Sequence, residues 1–320
     1  MSTENNGVQW LESDARSEGQ RLDNFLLGRL KGVPRSRIYR LIRKGEIRVN
    51  RKRCKPDQRL APGDVVRVAP IRQRAPAEQA ELSESLAQRL RESILYRDQS
   101  LLVLNKPPGI AVHGGSGVHL GLIEALRQLL PEEPFVELVH RLDRETSGCL
   151  LVALTPTSLK FLQDALRQRA VHKVYHALVQ GEWDADIEEV RAPLQRDELA
   201  GGERFVRVNP QGKPALTRFR LLGRYRDASL VEAMPVTGRM HQIRVHCQYA
   251  GHPILGDSKY LLREQNRFPR IRQLCLHAAA IRFEFPDPGS GAMCELQFDA
   301  PWPDRLQQTL AGLSREESGD

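Results

Sequence analysis

From Ser93 to about residue 300 the chain offers one short apolar run after another, broken by Gly, Pro and Asp, with no helix of regular spacing between successive runs. ILYRD, SLLVLN, VHKVYHALVQG, KPALTRFRLLGRY, ASLVEAMPVTGRMHQIRVHCQYAG and LHAAAIRFEF all read as strands. A doubly wound sheet needs a crossover helix after nearly every strand, so this pattern predicts an α+β fold with a large mixed, mainly antiparallel β-sheet. Two amphipathic helices are predicted beside it. One spans Leu122 to Leu130; the other lies in SLKFLQDALRQRAV, with Leu159, Leu162 and Leu166 on one face. A length of 320 residues at 40% hydrophobic content allows a large domain and a small one.

The small domain announces itself by charge. Residues 29 to 55 hold twelve Lys or Arg against the single acid Glu46, giving +11 within a chain total of +8; the remainder sums to −3. A basic excess confined to one segment implies a polyanion-binding surface. Leu22, Phe25, Leu26 and Leu30 predict a first helix, and RSRIYRLIRKG a second. In the second, Ile38, Leu41 and Ile42 face inward, Arg37, Arg40, Arg43 and Lys44 face outward, and Gly45 closes it. A short strand at Glu46 to Asn50, a basic turn containing Arg51, Lys52 and Arg53, and the strand of APGDVVRV complete a small α/β domain over 18–75. The polar stretch 76–92 reads as a linker with some helix, 93–306 as the main domain, and SREESGD as a frayed end.

No apolar run reaches the length of a membrane span, and MSTENNGVQW lacks the regions of a secretory signal, so a cytoplasmic protein is expected. Five cysteines stand singly, without ligand spacing, which predicts reduced thiols and no metal. The glycines at 114, 115 and 117 follow KPPGIAVH, but no Gly-Lys-Ser/Thr follows them, so a phosphate loop is excluded.

The segment LVHRLDRETSGCLLVAL puts a polar knot between two apolar runs, predicting a loop carried on strands. Asp143 lies between Arg141 and Arg144, and neighbouring cations favour the ionised carboxylate. That suits a nucleophile or an electrostatic catalyst, and equally a salt-bridged surface turn. His140, His241 and His246 are read as structural or as contacts to the polyanion; 241 and 246 would diverge on an extended strand.

Taken in order, HRLDRETSG, VHKVYHALV, GRMHQIRVH and LCLHAAAI resemble the RluA-type pseudouridine synthases over nearly all of 93–300, and HRLD-x-x-T-S-G is highly specific for them. GQRLDNFL, SRIYRLIRKGEIRVN and LAPGDVVRV resemble the S-four RNA-binding domain over about 18–71. The first resemblance implies a cofactor-free isomerisation of uridine with 23S ribosomal RNA as partner, by a monomer. It implies Asp143 as catalytic carboxylate, Arg244 as its cationic partner and Tyr175 as stacking and proton-relaying phenol. It also implies Arg141 at the place of the flipped base, where phosphate binding is an equal alternative, and Leu276 as an apolar contact to the base that is equally ordinary core. Met240 stands where that family's pattern usually has Thr; losing the hydroxyl could loosen Arg244, while Met is compatible with packing. A tRNA-directed enzyme of the same chemistry and a non-catalytic RNA-binding assembly factor are the rivals. A two-carboxylate glycosidase is disfavoured because Glu145 is the only other acid in the loop.

Overall fold

The computed structural model describes residues 7–14, 17–30, 33, 35–70, 80–114, 120–198, 204–287 and 289–317. Pro34, Gly115 and Gly117 lie outside the described residues. The chain divides into two compact units, Met1–Ala80 and Glu81–Asp320.

The first unit runs β1 (Gln9–Glu12), α1 (Leu22–Arg29), α2 (Arg35–Lys44), β2 (Ile47–Val49), β3 (Lys52–Arg53) and β4 (Val65–Val68). Its antiparallel sheet has the order β1-β4-β2-β3. The apolar stripes of both helices close on Ile47, Val49, Val66 and Val68, all buried, while Arg40, Arg43 and Lys44 stay exposed. Gly45 ends α2 at φ +73°, a left-handed geometry that glycine adopts without strain. Asp23, fully buried, takes both nitrogens of a fork from Arg21 and the Tyr39 hydroxyl at 2.6 Å, tying α1 to α2. Those donors hold its carboxyl far below the usual range.

The second unit opens with α3 (Glu84–Glu92), β5 (Ile94–Arg97), β6 (Leu101–Lys106), α4 (Leu122–Leu129), β7 (Glu137–Leu138), β8 (Ser147–Ala153), α5 (Pro156–Gln168) and β9 (His172–Gln180). It continues through β10 (Glu189–Arg191), β11 (Leu194–Glu198), β12 (Arg204–Val208), β13 (Leu216–Tyr225), β14 (Ala228–Pro235), α6 (Gln242–Tyr249), β15 (Leu276–Pro286), β16 (Met293–Asp299) and α7 (Asp304–Glu317). Ten strands form one sheet, with the path β10-β13-β14-β9-β15-β8-β6-β5, β16 beside β15 and β7 beside β8. Among the described residues every pairing in it is antiparallel except β8 with β15. No helix among the described residues is long and apolar enough to cross a membrane.

The helix expected within 76–92 is α3, capped by Ser83, with Ala87 buried and Leu90 in the same cluster as Leu122, Leu126 and Leu150. The structure corrects the sequence reading at two places. The main unit does not stop at 306, because α7 runs to Glu317 and buries Leu306 and Leu313. GRMHQIRVHCQY is not a strand. Gln242–Tyr249 is a helix, and the alternation Ile243, Val245, Cys247 misleads because Gln242 through Cys247 are all buried, leaving no amphipathic stripe.

Candidate active site

The predicted loop hangs between β7 and β8, which pair Leu138 with Val152. At its exit β8 meets β15 in the parallel pairing Ser147–His277 and Ala278–Gly148. Gly148 has φ +107°, and a Cβ there would lie 2.2 Å from the Ala278 carbonyl oxygen, so only glycine fits this close approach. The Ser147 hydroxyl donates to His277 Nδ1 at 2.9 Å while His277 Nε2–H donates to the Ala300 carbonyl at 3.0 Å. Burial pushes His277 down to about 4, so the ring is neutral.

Lys106, fully buried, holds the other side of the loop. Its ammonium donates to the carbonyls of Pro107, Ile110 and Arg144 at 2.8, 2.9 and 3.0 Å. The Gly109 amide adds a bond to the Arg144 carbonyl, and Arg144 Nε returns one to Gly109. Burial pushes Lys106 down to about 7. The residue before Arg144 is Asp143, whose own carbonyl accepts from the Thr146 amide. The carboxylate is thus fixed at its backbone from both directions.

Asp143 faces Arg244, not the arginines that flank it in sequence. Arg144 pairs with Glu145 at 3.3 Å and Arg141 is exposed on the cleft wall, whereas Arg244 Nη1 donates to Asp143 Oδ2 at 3.3 Å across 101 residues. Arg244 is committed more strongly elsewhere. Its Nε and Nη2 make a fork on Asp257 at 2.7 Å each, and Asp257 also accepts the amides of Lys259 and Tyr260. The guanidinium lies 5.0 Å over the Tyr260 ring. The shorter, bidentate pair is the structural one. Asp143 receives one longer bond and keeps acceptor capacity toward the cleft. Met240 packs beside Leu194, Val206, Val245 and Tyr260, and Arg244 is clamped by Asp257.

His241 caps α6 with its Nε2 at 3.7 Å from Asp143 Oδ2 and its Nδ1 2.7 Å from the Tyr260 hydroxyl. The Val206 amide donates to that hydroxyl at 3.1 Å. The network closes when Tyr260 donates to Nδ1 and Nε2–H points at the carboxylate. Burial pushes His241 down to about 4, outweighing the attraction of Asp143, and the ring is neutral. His140 accepts the Leu151 amide and is pushed by burial to about 3; His246 bonds Thr217 and the Ala192 carbonyl inside the core. These histidines brace the fold, and no metal-holding group of His, Cys, Asp or Glu occurs among the described residues.

Tyr175 sits on β9 between Ala233 and Ala278, where burial and the Asp143 charge push its phenol well above the usual range, so it stays protonated. Leu276 is buried at 4% exposure in the main core and also lines the cleft. The cleft has a volume of about 1020 Å³ and contains Arg141, Asp143, Tyr175, Arg244 and Leu276. Among the described lining residues Asp143 is the only carboxylate, against eight Lys and Arg side chains. The sequence reading missed Lys106, Asp257 and Tyr260. Asp257 and Tyr260 fall in ILGDSKY, which carries only a turn signal; Lys106 stands in the noted KPPG stretch, where nothing in the spacing marks it as buried.

In the first unit the cations divide by position. Arg40, Arg43, Lys44, Arg51, Lys52 and Arg53 are exposed; Arg37 is half-buried.

The family model for RNA pseudouridylate synthase matches residues 100–249, and that for the S4 domain matches residues 20–66. A ribosomal large subunit pseudouridine synthase C of Pasteurella multocida (strain Pm70) is 50% identical over 321 residues, covering 99% of this chain and 97% of the relative. The protein of that name from Escherichia coli (strain K12) is 49% identical, covering 98% and 99%. Among solved structures, human RNA Pseudouridylate Synthase Domain Containing 4 superposes with a TM-score of 0.58 at 27% identity, over 72% of this chain and 95% of that one.

Proposed function

The chain belongs to the RNA pseudouridylate synthase family and carries an S4 domain, and from that premise we propose that it isomerises specific uridines in large-subunit ribosomal RNA. A single carboxylate, Asp143, stands in a cationic cleft within reach of Arg244 and near Tyr175.

The reaction breaks the bond from uracil N1 to the ribose anomeric carbon and forms one from carbon 5. The proton that carbon 5 loses is matched by the one N1 gains, so no external reagent is consumed. Asp143 acts on the ribose, by attack at the anomeric carbon or by taking a proton from its 2-prime carbon. Arg244 stabilises the carboxylate without quenching it, since its stronger bonds go to Asp257. Tyr175 offers a ring face to the base and a hydroxyl that passes a proton on. Its raised phenol acts as a relay, not as a standing phenolate. Arg141 and the other cleft cations take the phosphates of a nucleotide drawn out of its stack. Leu276 packs on the base, and Arg37, Arg40, Arg43, Lys44, Arg51, Lys52 and Arg53 hold RNA at the S4 domain. The proposal includes a monomer working in the cytoplasm without a cofactor.

A purely RNA-binding assembly factor has no use for this cluster, whose buried charges are costly to keep in a fold. The deciding test is tritium release from carbon 5 of labelled uridine in large-subunit rRNA. The wild-type protein releases it, and Asp143→Asn lowers the rate by roughly three to four orders of magnitude. Full activity in the Asn variant overturns the assignment, and release from transfer RNA alone redirects the substrate.

A further inference from the structure

The S4 unit has a second surface that its helices do not supply. Trp10 on β1 lies directly opposite Arg67 on β4, Arg67 opposite Arg48 on β2, and Arg48 opposite Arg53 on β3. Directly opposed residues in antiparallel strands point to the same face, so the four side chains form one row across the whole sheet. With strands about 4.8 Å apart the row spans about 14 Å. The alternate residues Ile47, Val49, Val66 and Val68 are buried under α1 and α2, which puts the row on the face turned away from the helices. Trp10 is 56% exposed; Arg48 and Arg53 are exposed and Arg67 half-exposed. Arg48 Nε donates to the Gly45 carbonyl at 3.2 Å, which orders one guanidinium of the row. The acids of this face among the described residues are Glu12, at the far end of β1, and Glu46, two residues before Arg48, which pairs with Lys44 at 3.9 Å.

A large indole left in water beside three guanidinium groups is poorly explained by stability, since burying it would be favourable. It is well suited to a single strand of nucleic acid, whose bases stack on aromatic and guanidinium planes while cations follow the phosphates. We propose that this row is a second RNA-binding surface, where an unpaired base stacks on Trp10 and Arg67, Arg48 and Arg53 hold the adjoining backbone. It is distinct from the cations of α2, meets the basic segment 51–53 at Arg53, and rests on the reading that RNA is the substrate. Three guanidinium groups in line with an exposed indole, with Glu46 already paired to Lys44, favour RNA over a protein partner.

Fluorescence tests this on the full-length protein. Trp183 is fully buried and the Trp302 indole N–H is bonded to His176 Nδ1, so Trp10 is the residue that an aqueous quencher reaches first. A short unstructured RNA of mixed sequence quenches the Trp10 emission and shields it from acrylamide, and Trp10→Phe removes that signal while keeping affinity within a few-fold. Trp10→Ala weakens binding roughly tenfold, and Arg48→Gln and Arg67→Gln each lower the salt slope of binding by about 1. Matching thermal unfolding curves show the variants are folded; should the Ala variant unfold early, the Phe and Gln variants carry the test. Acrylamide access that is unchanged at saturating RNA, with wild-type affinity in the Ala variant, overturns the proposal. Self-association or a protein contact that depends on Trp10 also overturns it. Wild-type tritium release without Trp10 shielding removes this surface alone, whereas absence of release removes the assigned reaction.

Discussion

Two parts of this molecule are rich in cations, and they are built on opposite principles. On the S4 unit Arg40, Arg43, Lys44, Arg51, Lys52 and Arg53 are exposed. In the cleft Arg244 is buried to 9% exposure, locked by a bidentate pair, and set against one carboxylate. In the proposed function the first arrangement works by number, because phosphate attraction is summed over many weak, screened contacts. The second works by position, because a buried charge is tolerable only where its partners are fixed. One cation lost from the first should be felt slightly, and one partner lost from the second severely.

The largest effect expected from this contrast is at Asp257. Asp257→Asn leaves Arg244 without its charged clamp, and kcat falls by about 10²-fold or more while RNA affinity barely changes. Steady-state tritium release separates the two; a loss seen only in KM would erase the distinction between the regions. Next is Gly148→Ala, whose methyl meets the Ala278 carbonyl and forces β8 from β15. Urea unfolding should show a loss of about 3 kcal/mol or more, with activity falling beyond what unfolding explains, since the Asp143 loop moves too.

The third test uses pH. His277 titrates near 4 in the fold and near the ordinary 6.5 when unfolded, so between these values the unfolded chain binds the extra proton. Its contribution is complete above about 6.5 and falls away as pH drops toward 4, by about 1.4 kcal/mol per unit. His277→Asn should flatten the urea-midpoint profile by one proton in that window; an unaltered profile would mean the Ser147–His277 contact is not what holds the loop exit. The smallest effect is at Arg40→Gln, which should lower the salt slope of RNA binding by about 1 and leave kcat untouched. A tenfold fall in kcat there would make the two regions alike.

The same contrast explains what could be read from the residues alone. The S4 unit was legible because its signals are local: apolar stripes at helical spacing, Gly45 at the helix end, and cations crowded into one segment. In the larger unit the strands were legible from alternation, and Asp143, Tyr175 and Arg244 from their motifs. The partner of Asp143 was legible only from the motif: adjacency pointed to Arg141 and Arg144, while the resemblance named Arg244, which the fold brings to the carboxylate. Helix α6 was hidden because burial on all sides erases its period. Lys106 and Asp257 were hidden because their roles lie in backbone carbonyls and in a partner thirteen residues away, and neither leaves a pattern in spacing.

The parallel contact of β8 with β15 sets a timetable for the growing chain. Asp143 leaves the ribosome about a hundred residues before Arg244, and His277 follows later still. Synthesis runs at roughly 5–20 residues per second, so the carboxylate loop waits several seconds for its partners. Contacts of such sequence separation also form slowly. The small unit, by contrast, is complete by Val68. During its own translation, therefore, the protein can grip polyanions well before it can do chemistry on them.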